Sequence, residues 1–128
     1  MKFLHTAALL ALALGSLTVR ADDHERPANF RHVVCFQFKE STTEDDIQHI
    51  VDEFLLLEEK IDTIVDIEWG MTENIEPLND DFTHCFLVSF ENREGLEIYL
   101  PHPDHKAFVD IIKPHLEKVF VFDYTPKG

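Results

Sequence analysis

The chain has 128 residues, of which 25 are acidic and 11 are Lys or Arg, so that its formal net charge at pH 7 is -14. This length suits one small domain with its own hydrophobic core. The negative charge argues against nucleic acids and anionic membrane surfaces as partners, because both would be repelled.

The N-terminal residues predict a secretory signal peptide over residues 1–21. Lys2 supplies a positive start, residues 6–17 form a short apolar run rich in Ala and Leu, and small residues precede a cleavage point after Ala21. A membrane anchor is the alternative, but the run is well short of the roughly 20 residues that a spanning helix needs. We therefore expect export to the periplasm or the extracellular space, with residues 22–29 as a flexible mature N-terminus.

The first half of the remaining chain predicts the order strand, helix, strand. Residues 31–39 are rich in Val and Phe, which is typical of a strand. The hydroxyl and acidic cluster at residues 41–46 indicates a helix start, because hydroxyl groups cap free N–H groups and acids suit the positive end of the helix dipole. Apolar residues at helical spacing carry this helix to about Ile61, and residues 64–71 alternate as a second strand.

The second half predicts a strand, an interrupted helix and a final strand. A strand at residues 82–90 precedes a short helix that ends near Leu100. Pro101 and Pro103 then break the helical pattern, because proline fixes φ and lacks an N–H. A further helix and the last strand follow over residues 104–116 and 118–124. The predicted order is therefore βαββαβ, with the second helix broken in two.

Apolar side chains occupy both faces of the predicted strands. The first strand places Val34 and Phe36 on one face and Cys35 on the other, and the third and fourth strands alternate in the same way. Two helices cover only one face of a four-stranded sheet. Exposing the other face would cost several kcal/mol at about 25 cal/mol per Å² of apolar area. We predict a symmetric homodimer in which sheet packs on sheet; the alternative is a face that is merely less polar than usual.

Several stretches of the chain, in this order, resemble the stress-responsive dimeric α/β-barrel family. They are residues 31–39, residues 81–91, the His-Pro-x-His run within residues 99–108, and Phe122-Asp123-Tyr124. The joint match of His-Pro-x-His and the terminal Phe-Asp-Tyr makes the resemblance specific. It implies an α+β, ferredoxin-like βαββαβ fold with a four-stranded antiparallel sheet, which dimerises through its sheets into a barrel. The domain would span residues 30–126.

The family that the chain resembles is functionally mixed. Some plant members are stress-induced stable proteins, and one plant relative closes a linear polyketide by an aldol reaction that uses a Tyr and a His. By this resemblance, those two residues correspond to Tyr99 and His105. The resemblance also implies that His32 belongs to the ligand-binding pocket.

Tyr99 and His105 are also distinguished by their own chemistry. In a continuous helix they would lie on different faces, but the proline break permits both to turn towards the gap between helix and sheet. There His105 would act as a base near neutral pH, and Tyr99 would donate a hydrogen bond to a carbonyl oxygen that gains charge. Aromatic side chains would wall the pocket for an apolar ligand, namely Phe36, Phe54, Phe108 and Phe122.

Three functional hypotheses stay open. The first is a binding or stress-protective module that holds a small apolar molecule, in which His105 and Asp104 merely complete a helix cap. The second is a cofactor-free cyclase or lyase that uses His105 and Tyr99 on a carbonyl substrate, and the third is a cofactor-independent oxygenase. We expect no cofactor and no metal, since His102 and His105 lack an evident third ligand. His102 is expected to be a surface or capping residue.

The pairing of the first and third strands bears on four further residues. If these strands are antiparallel neighbours, His32 and His84 lie at opposite ends of the sheet. We then expect His84 to be a structural histidine at the sheet edge whose hydrogen bonds are satisfied. Cys35 and Cys85 would share a face as small buried hydrophobic residues. We expect them to be offset in register, which argues against a disulfide, although export would permit one.

Overall fold

The computed structural model describes residues 26–128, so that the predicted signal peptide and residues 22–25 lie outside the described residues. Within this part, strands and helices follow one another as β1 (Phe30–Phe38), α1 (Glu44–Lys60), β2 (Ile64–Met71), β3 (His84–Phe90), α2 (Arg93–Tyr99), α3 (Pro103–Ile112) and β4 (Leu116–Tyr124). A 3-10 turn at Lys113–His115 joins α3 to β4. The predicted order, with its broken second helix, is confirmed.

The four strands form one antiparallel sheet in the order β2-β3-β1-β4. The buried residues of the helices and strands form a hydrophobic core on one face of this sheet. The α+β class predicted from the sequence is therefore confirmed. None of the helices within residues 26–128 combines the length and the apolar character that crossing a membrane requires.

The start of the described chain is tied to the turn before β2. The Arg26 guanidinium donates hydrogen bonds to the carbonyl oxygens of Asp62 at 3.0 Å and Ile64 at 3.3 Å. A third contact, 3.6 Å long, joins the Arg26 Nε to a carboxylate oxygen of Glu91. These contacts fix the entry of the chain into β1.

α1 begins with a reciprocal cap and packs through one face. The Asp46 N–H donates to Thr43 Oγ1 at 3.1 Å, and the Thr43 N–H donates to Asp46 Oδ2 at 3.2 Å, which satisfies two donors at the helix start. The inward face is buried at Ile50, Val51, Phe54 and Leu57. Phe54 stacks on Phe86 of β3 with ring centroids 4.3 Å apart. This stack holds α1 against the centre of the sheet.

The joint between α2 and α3 is formed by prolines and an imidazole cap. α2 ends at Tyr99, and Pro103 takes the first position of α3, where its missing N–H has no intrahelical partner to lose. His102 Nδ1 accepts a hydrogen bond from the Asp104 N–H at 3.1 Å. His102 is thus the capping residue at the start of α3.

The sheet face turned away from the helices is apolar and uncovered by them. We call it the open face; its apolar members are Val33, Cys35, Cys85, Leu87, Phe120, Phe122 and Tyr124. Phe120 and Phe122 expose 46% and 55% of their surface. Apolar side chains therefore occupy both faces of the sheet, as the alternation of the strands predicts.

The pairing of β1 with β3 corrects the expectation for the cysteines. Cys35 and Cys85 are direct partners rather than offset. Cys85 is exposed and Cys35 is half-buried, so neither is a core residue. The register runs from Phe30 opposite Phe90 to Phe36 opposite His84, and the composition of the two strands does not by itself fix that alignment.

Candidate functional site

A cavity of about 310 Å³ lies between the sheet and the helices, bounded by β1, β4, α1, α3 and the joint before α3. We call it the helix–sheet cavity. Its polar lining residues are His32, Tyr99, His105 and Asp123. The other lining side chains are aliphatic or aromatic, and three of the predicted wall residues, Phe36, Phe54 and Phe108, are among them. The cavity is therefore apolar apart from a few polar groups.

Tyr99 contacts both histidines of the helix–sheet cavity. It is the last residue of α2 and is 1% exposed. Its ring centroid lies 4.3 Å from that of His105 and 5.7 Å from that of His32. Burial raises the pKa of the Tyr99 phenol well above its usual range, because a phenolate would lose its hydration. The side chain is thus a neutral hydroxyl, which is able to donate a hydrogen bond.

His105, in the first turn of α3, turns one ring nitrogen to the backbone. Nδ1 lies 2.9 Å from the carbonyl oxygen of Leu100. Since a carbonyl oxygen only accepts, Nδ1 carries the proton and Nε2 of the neutral ring keeps its lone pair. Burial lowers the pKa of His105, the hydrogen bond to Leu100 opposes this, and the charges of His32 and His102 add to the lowering. Nε2 is therefore a proton acceptor near neutral pH.

His32 is held by a carboxylate that the sequence analysis did not assign to the site. His32 Nδ1 lies 2.5 Å from Asp123 Oδ1, and the histidine is 5% exposed. An ionised carboxylate accepts, so Nδ1 donates to Asp123, and in the neutral form of the ring Nε2 is the acceptor nitrogen. The alternation of β4 could have indicated Asp123, because Asp123 lies on the same face of the strand as Val119 and Val121. All three residues line the cavity.

Phe122 does not line the helix–sheet cavity, so its assignment as a wall residue is wrong. β4 pairs with β1 so that Val121 lies opposite Val34 and Phe122 lies opposite Val33. Paired residues project to the same side of a sheet. The valines of β4 therefore point towards the helices, and Phe122 lies on the open face.

His84 lies at the other end of the sheet, opposite Phe36. It is 5% exposed, its Nδ1 is 2.8 Å from Thr83 Oγ1, and its ring stacks on Trp69 with centroids 6.0 Å apart. Burial lowers the pKa of His84. His84 and His32 therefore do not share a site, as their positions in antiparallel strands predicted.

The side chains around the cavity offer proton-transfer chemistry. Tyr99 supplies a hydroxyl donor, and His105 and His32 each engage Nδ1 with a fixed oxygen acceptor. Hydrogen bonds of this kind set the tautomer and the orientation of an imidazole. No group of three or more His, Cys, Asp or Glu side chains within residues 26–128 is placed to hold a metal ion.

Comparison with known proteins identifies the family of this chain. The family described as the Stress responsive A/B Barrel Domain matches residues 30–126. The chain belongs to this family. The stress-response A/B barrel domain-containing protein HS1 of Arabidopsis thaliana is 32% identical over 96 residues, which are 75% of this chain and 88% of that protein. Olivetolic acid cyclase of Cannabis sativa is 30% identical over 97 residues, which are 76% of this chain and 96% of the cyclase.

Solved structures agree with the fold of this stress-responsive A/B barrel protein. The protein At3g17210 of Arabidopsis thaliana superposes with a TM-score of 0.74 and 31% identity, covering 77% of this chain and 96% of that chain. A dimeric ferredoxin-like protein from Thermobifida fusca superposes with a TM-score of 0.67 and 19% identity, covering 79% and 93%. The ferredoxin-like fold implied by the resemblance is thereby confirmed.

Proposed function

We propose that this stress-responsive A/B barrel protein is an exported homodimer that binds a small, largely apolar molecule in the helix–sheet cavity. The cavity carries the proposal: it has a volume of about 310 Å³, apolar walls and a few polar side chains, which is the usual make-up of a small-molecule site. Export is supported by residues 1–21. Mass spectrometry of the secreted protein tests export, because the mass should correspond to a chain that begins at Asp22. A secreted protein that still begins at Met1 would contradict the proposed cleavage.

The homodimer is supported by the open face. Phe120, Phe122 and Tyr124 together form an aromatic surface, and these side chains are 38–55% exposed in a single chain. Apolar patches of this kind on a soluble protein mark interaction sites. Two-fold symmetry would cover the same face on both copies, and the ferredoxin-like relative from Thermobifida fusca is dimeric.

The polar residues of the cavity restrict the chemistry of the ligand. Tyr99 offers a hydrogen-bond donor, and His105 offers an acceptor nitrogen. In its neutral form, His32 offers a second acceptor nitrogen. The Asp123 carboxylate lies at the cavity of a chain whose net charge is -14, so an anionic ligand would be repelled. A neutral carbonyl compound with an apolar body meets these conditions.

Blocking the cavity tests the binding proposal. Leu100 lines the cavity and Ile98 does not, yet the two are similarly exposed, at 46% and 54%. We expect benzaldehyde and medium-chain methyl ketones to raise the melting temperature of the wild type and of Ile98→Trp. Leu100→Trp should weaken binding about tenfold or more, a loss of about 1.4 kcal/mol, because the indole would fill the cavity. Equal calorimetric affinities for the two variants would place the ligand elsewhere.

A second candidate function, a cofactor-free cyclase or lyase, is favoured by the contact between Tyr99 and His105. The Tyr99 hydroxyl would donate to a substrate carbonyl oxygen while His105 Nε2 removes a proton from the adjacent carbon. The C–H electron pair then forms an enolate, which the Tyr99 donor stabilises. In a ring closure, the enolate carbon attacks a second carbonyl, and the imidazolium protonates the new alkoxide. One relative, 30% identical, is named as a cyclase.

Proton abstraction can be measured before the full reaction is known. In heavy water, the wild type should exchange the α-protons of a bound ketone for deuterium, which NMR follows. His105→Ala should slow this exchange by about 100-fold, and Tyr99→Phe should slow it by about tenfold or more. His102→Asn, which keeps a cap on α3, should exchange at the wild-type rate. If the wild type binds the ketone without exchanging its α-protons, the enzyme hypothesis is excluded and the binding-module hypothesis is retained.

A further inference from the structure

Arg26, the first described residue, ties the start of the domain to the edge strand β2. Its guanidinium contacts the carbonyl oxygens of Asp62 and Ile64 and the Glu91 carboxylate. β2 and β4 form opposite edges of the sheet, and neither Arg26 nor these partners line the helix–sheet cavity. The chain therefore enters the domain at the sheet edge opposite the aromatic residues of β4 and outside the cavity.

Acidic side chains lie around the place where Arg26 is held. Asp62, Glu91 and Glu94 line a surface hollow of about 310 Å³ together with Arg26. The Arg26 guanidinium contacts the Glu91 carboxylate, and the whole chain has a net charge of -14. The excess of negative charge means that this part of the surface attracts cations.

The proposed cleavage after Ala21 would make Asp22-Asp23-His24 the first residues of the mature chain. These residues lie outside the described part of the structure, but the covalent chain limits their distance from it. Since consecutive Cα atoms are about 3.8 Å apart, the whole tripeptide stays within roughly 15 Å of the Arg26 Cα. The new N-terminus is therefore confined to the neighbourhood of the acidic hollow.

A histidine in the third position of a free N-terminus can place four nitrogen donors around one metal ion. Here the donors are the terminal amine, the peptide nitrogens of Asp23 and His24, and Nδ1 of the His24 imidazole. Neither residue is proline, so both peptide nitrogens carry a proton that a metal ion can replace. A bound divalent cation lowers the pKa of its ligands and thereby favours this replacement.

We propose that cleavage of the signal peptide creates a copper(II) site at these four nitrogens, which presupposes the export proposed above. Cu²⁺ displaces the two peptide protons, and these pass to water with any proton held by the amine or the imidazole. Nitrogen ligands in a plane suit Cu²⁺ and Ni²⁺, and Cu²⁺ binds more tightly in the Irving–Williams order. Zn²⁺ prefers a tetrahedral ligand set, so it should not compete.

Two forms of the protein that differ by one residue test the site directly. The chain is prepared to begin at Asp22 or at Ala21 by cutting a removable tag, so that His24 is the third or the fourth residue. The form that begins at Asp22 should keep one equivalent of Cu²⁺ against excess glycine and show four nitrogen ligands by electron paramagnetic resonance. The form that begins at Ala21 should bind Cu²⁺ more than about 100-fold more weakly, because losing ligands costs more than losing an outer partner of a metal site.

Side-chain variants of the form that begins at Asp22 identify the imidazole. His24→Ala should lose its Cu²⁺ to glycine, whereas His49→Ala, at an exposed position on α1, should keep it. Excess Zn²⁺ should displace no Cu²⁺, and the affinity should rise with pH because the peptide protons must leave. Equal affinity in the Asp22 and Ala21 forms, or in His24→Ala and the wild type, would overturn the proposal.

Failure of the copper site can be distinguished from failure of the proposed function. Mass spectrometry of the secreted protein shows whether the chain begins at Asp22. If it does, and the form that begins at Asp22 still yields its Cu²⁺ to glycine, the copper site is wrong while export is retained. If the secreted chain begins elsewhere, the proposed cleavage is wrong, and the claim that cleavage creates a copper site is overturned with it.

Discussion

The two ring nitrogens of His105 have separate functions. Nδ1 is bound to the Leu100 carbonyl oxygen, so the backbone of the helix joint orients the ring. Nε2 is left as the acceptor nitrogen, and the burial that accompanies the cavity lowers the pKa of His105. The imidazole is thereby kept neutral, which is the form that a base requires. Burial also lowers the pKa of His84 at the far end of the sheet.

We expect the protein to lose stability as the pH falls from about 7 to about 5. A histidine whose folded pKa lies below the ordinary value of about 6.5 binds protons more readily when unfolded. The contribution of such a histidine to the free energy of unfolding is therefore retained above about pH 6.5. It is lost as the pH falls from about 6.5 towards the pKa of the folded state. Replacing both His84 and His105 by Gln should flatten the fall in the free energy of unfolding, measured in urea.

The exposed His49 on α1 provides the matched control for this measurement. His49→Gln should leave the dependence of stability on pH as it is in the wild type. If the double variant instead falls as steeply as the wild type between these pH values, the lowered pKa values of His84 and His105 would be contradicted.

Residue chemistry made part of the site predictable. Tyr99 and His105 stood out because the proline break lies between them, and the structure brings their rings into contact. In the sequence, Asp123 is distinguished only as part of the Phe-Asp-Tyr match, because its function depends on a partner in another strand. Only the register between β1 and β4, which places Asp123 opposite His32, reveals the hydrogen bond between them.

At the scale of elements, the joint between α2 and α3 positions the site. Pro101 and Pro103 made the break predictable, since proline cannot continue a helix. The end of α3 was less predictable. The chain leaves the α-helix at Ile112 and forms a 3-10 turn that includes Pro114, and β4 begins at Leu116. Ile112 and Leu116 are at helical spacing on either side of this turn, so periodicity alone overestimates the length of α3.

The His102 cap of α3 should contribute measurably to stability. His102→Ala removes the acceptor for the Asp104 N–H and should lower the free energy of unfolding by about 0.5–2 kcal/mol. His102→Asp should retain most of that free energy, because a carboxylate also accepts at this position. Urea unfolding of the two variants measures the difference. Equal stability of the Ala and Asp variants would show that the imidazole cap contributes nothing.

At the scale of the whole molecule, the two faces of the sheet have different surroundings. The sequence shows that both faces are apolar, but in β4 the valines and the phenylalanines are equally apolar, so alternation cannot decide which set faces the helices. Pairing with β1 decides it, because Val121 lies opposite Val34 and Phe122 opposite Val33. One face therefore bounds the cavity, and the other carries exposed aromatic side chains.

In the proposed homodimer a second copy covers the open face, and sedimentation velocity at micromolar concentration tests this most directly. We predict that the wild type sediments as a dimer and that Phe122→Asp, which places a charge on that face, sediments as a monomer with an unchanged circular dichroism spectrum. Leu56→Asp, on the exposed side of α1, should remain a dimer. A wild type that sediments as a folded monomer would contradict the account.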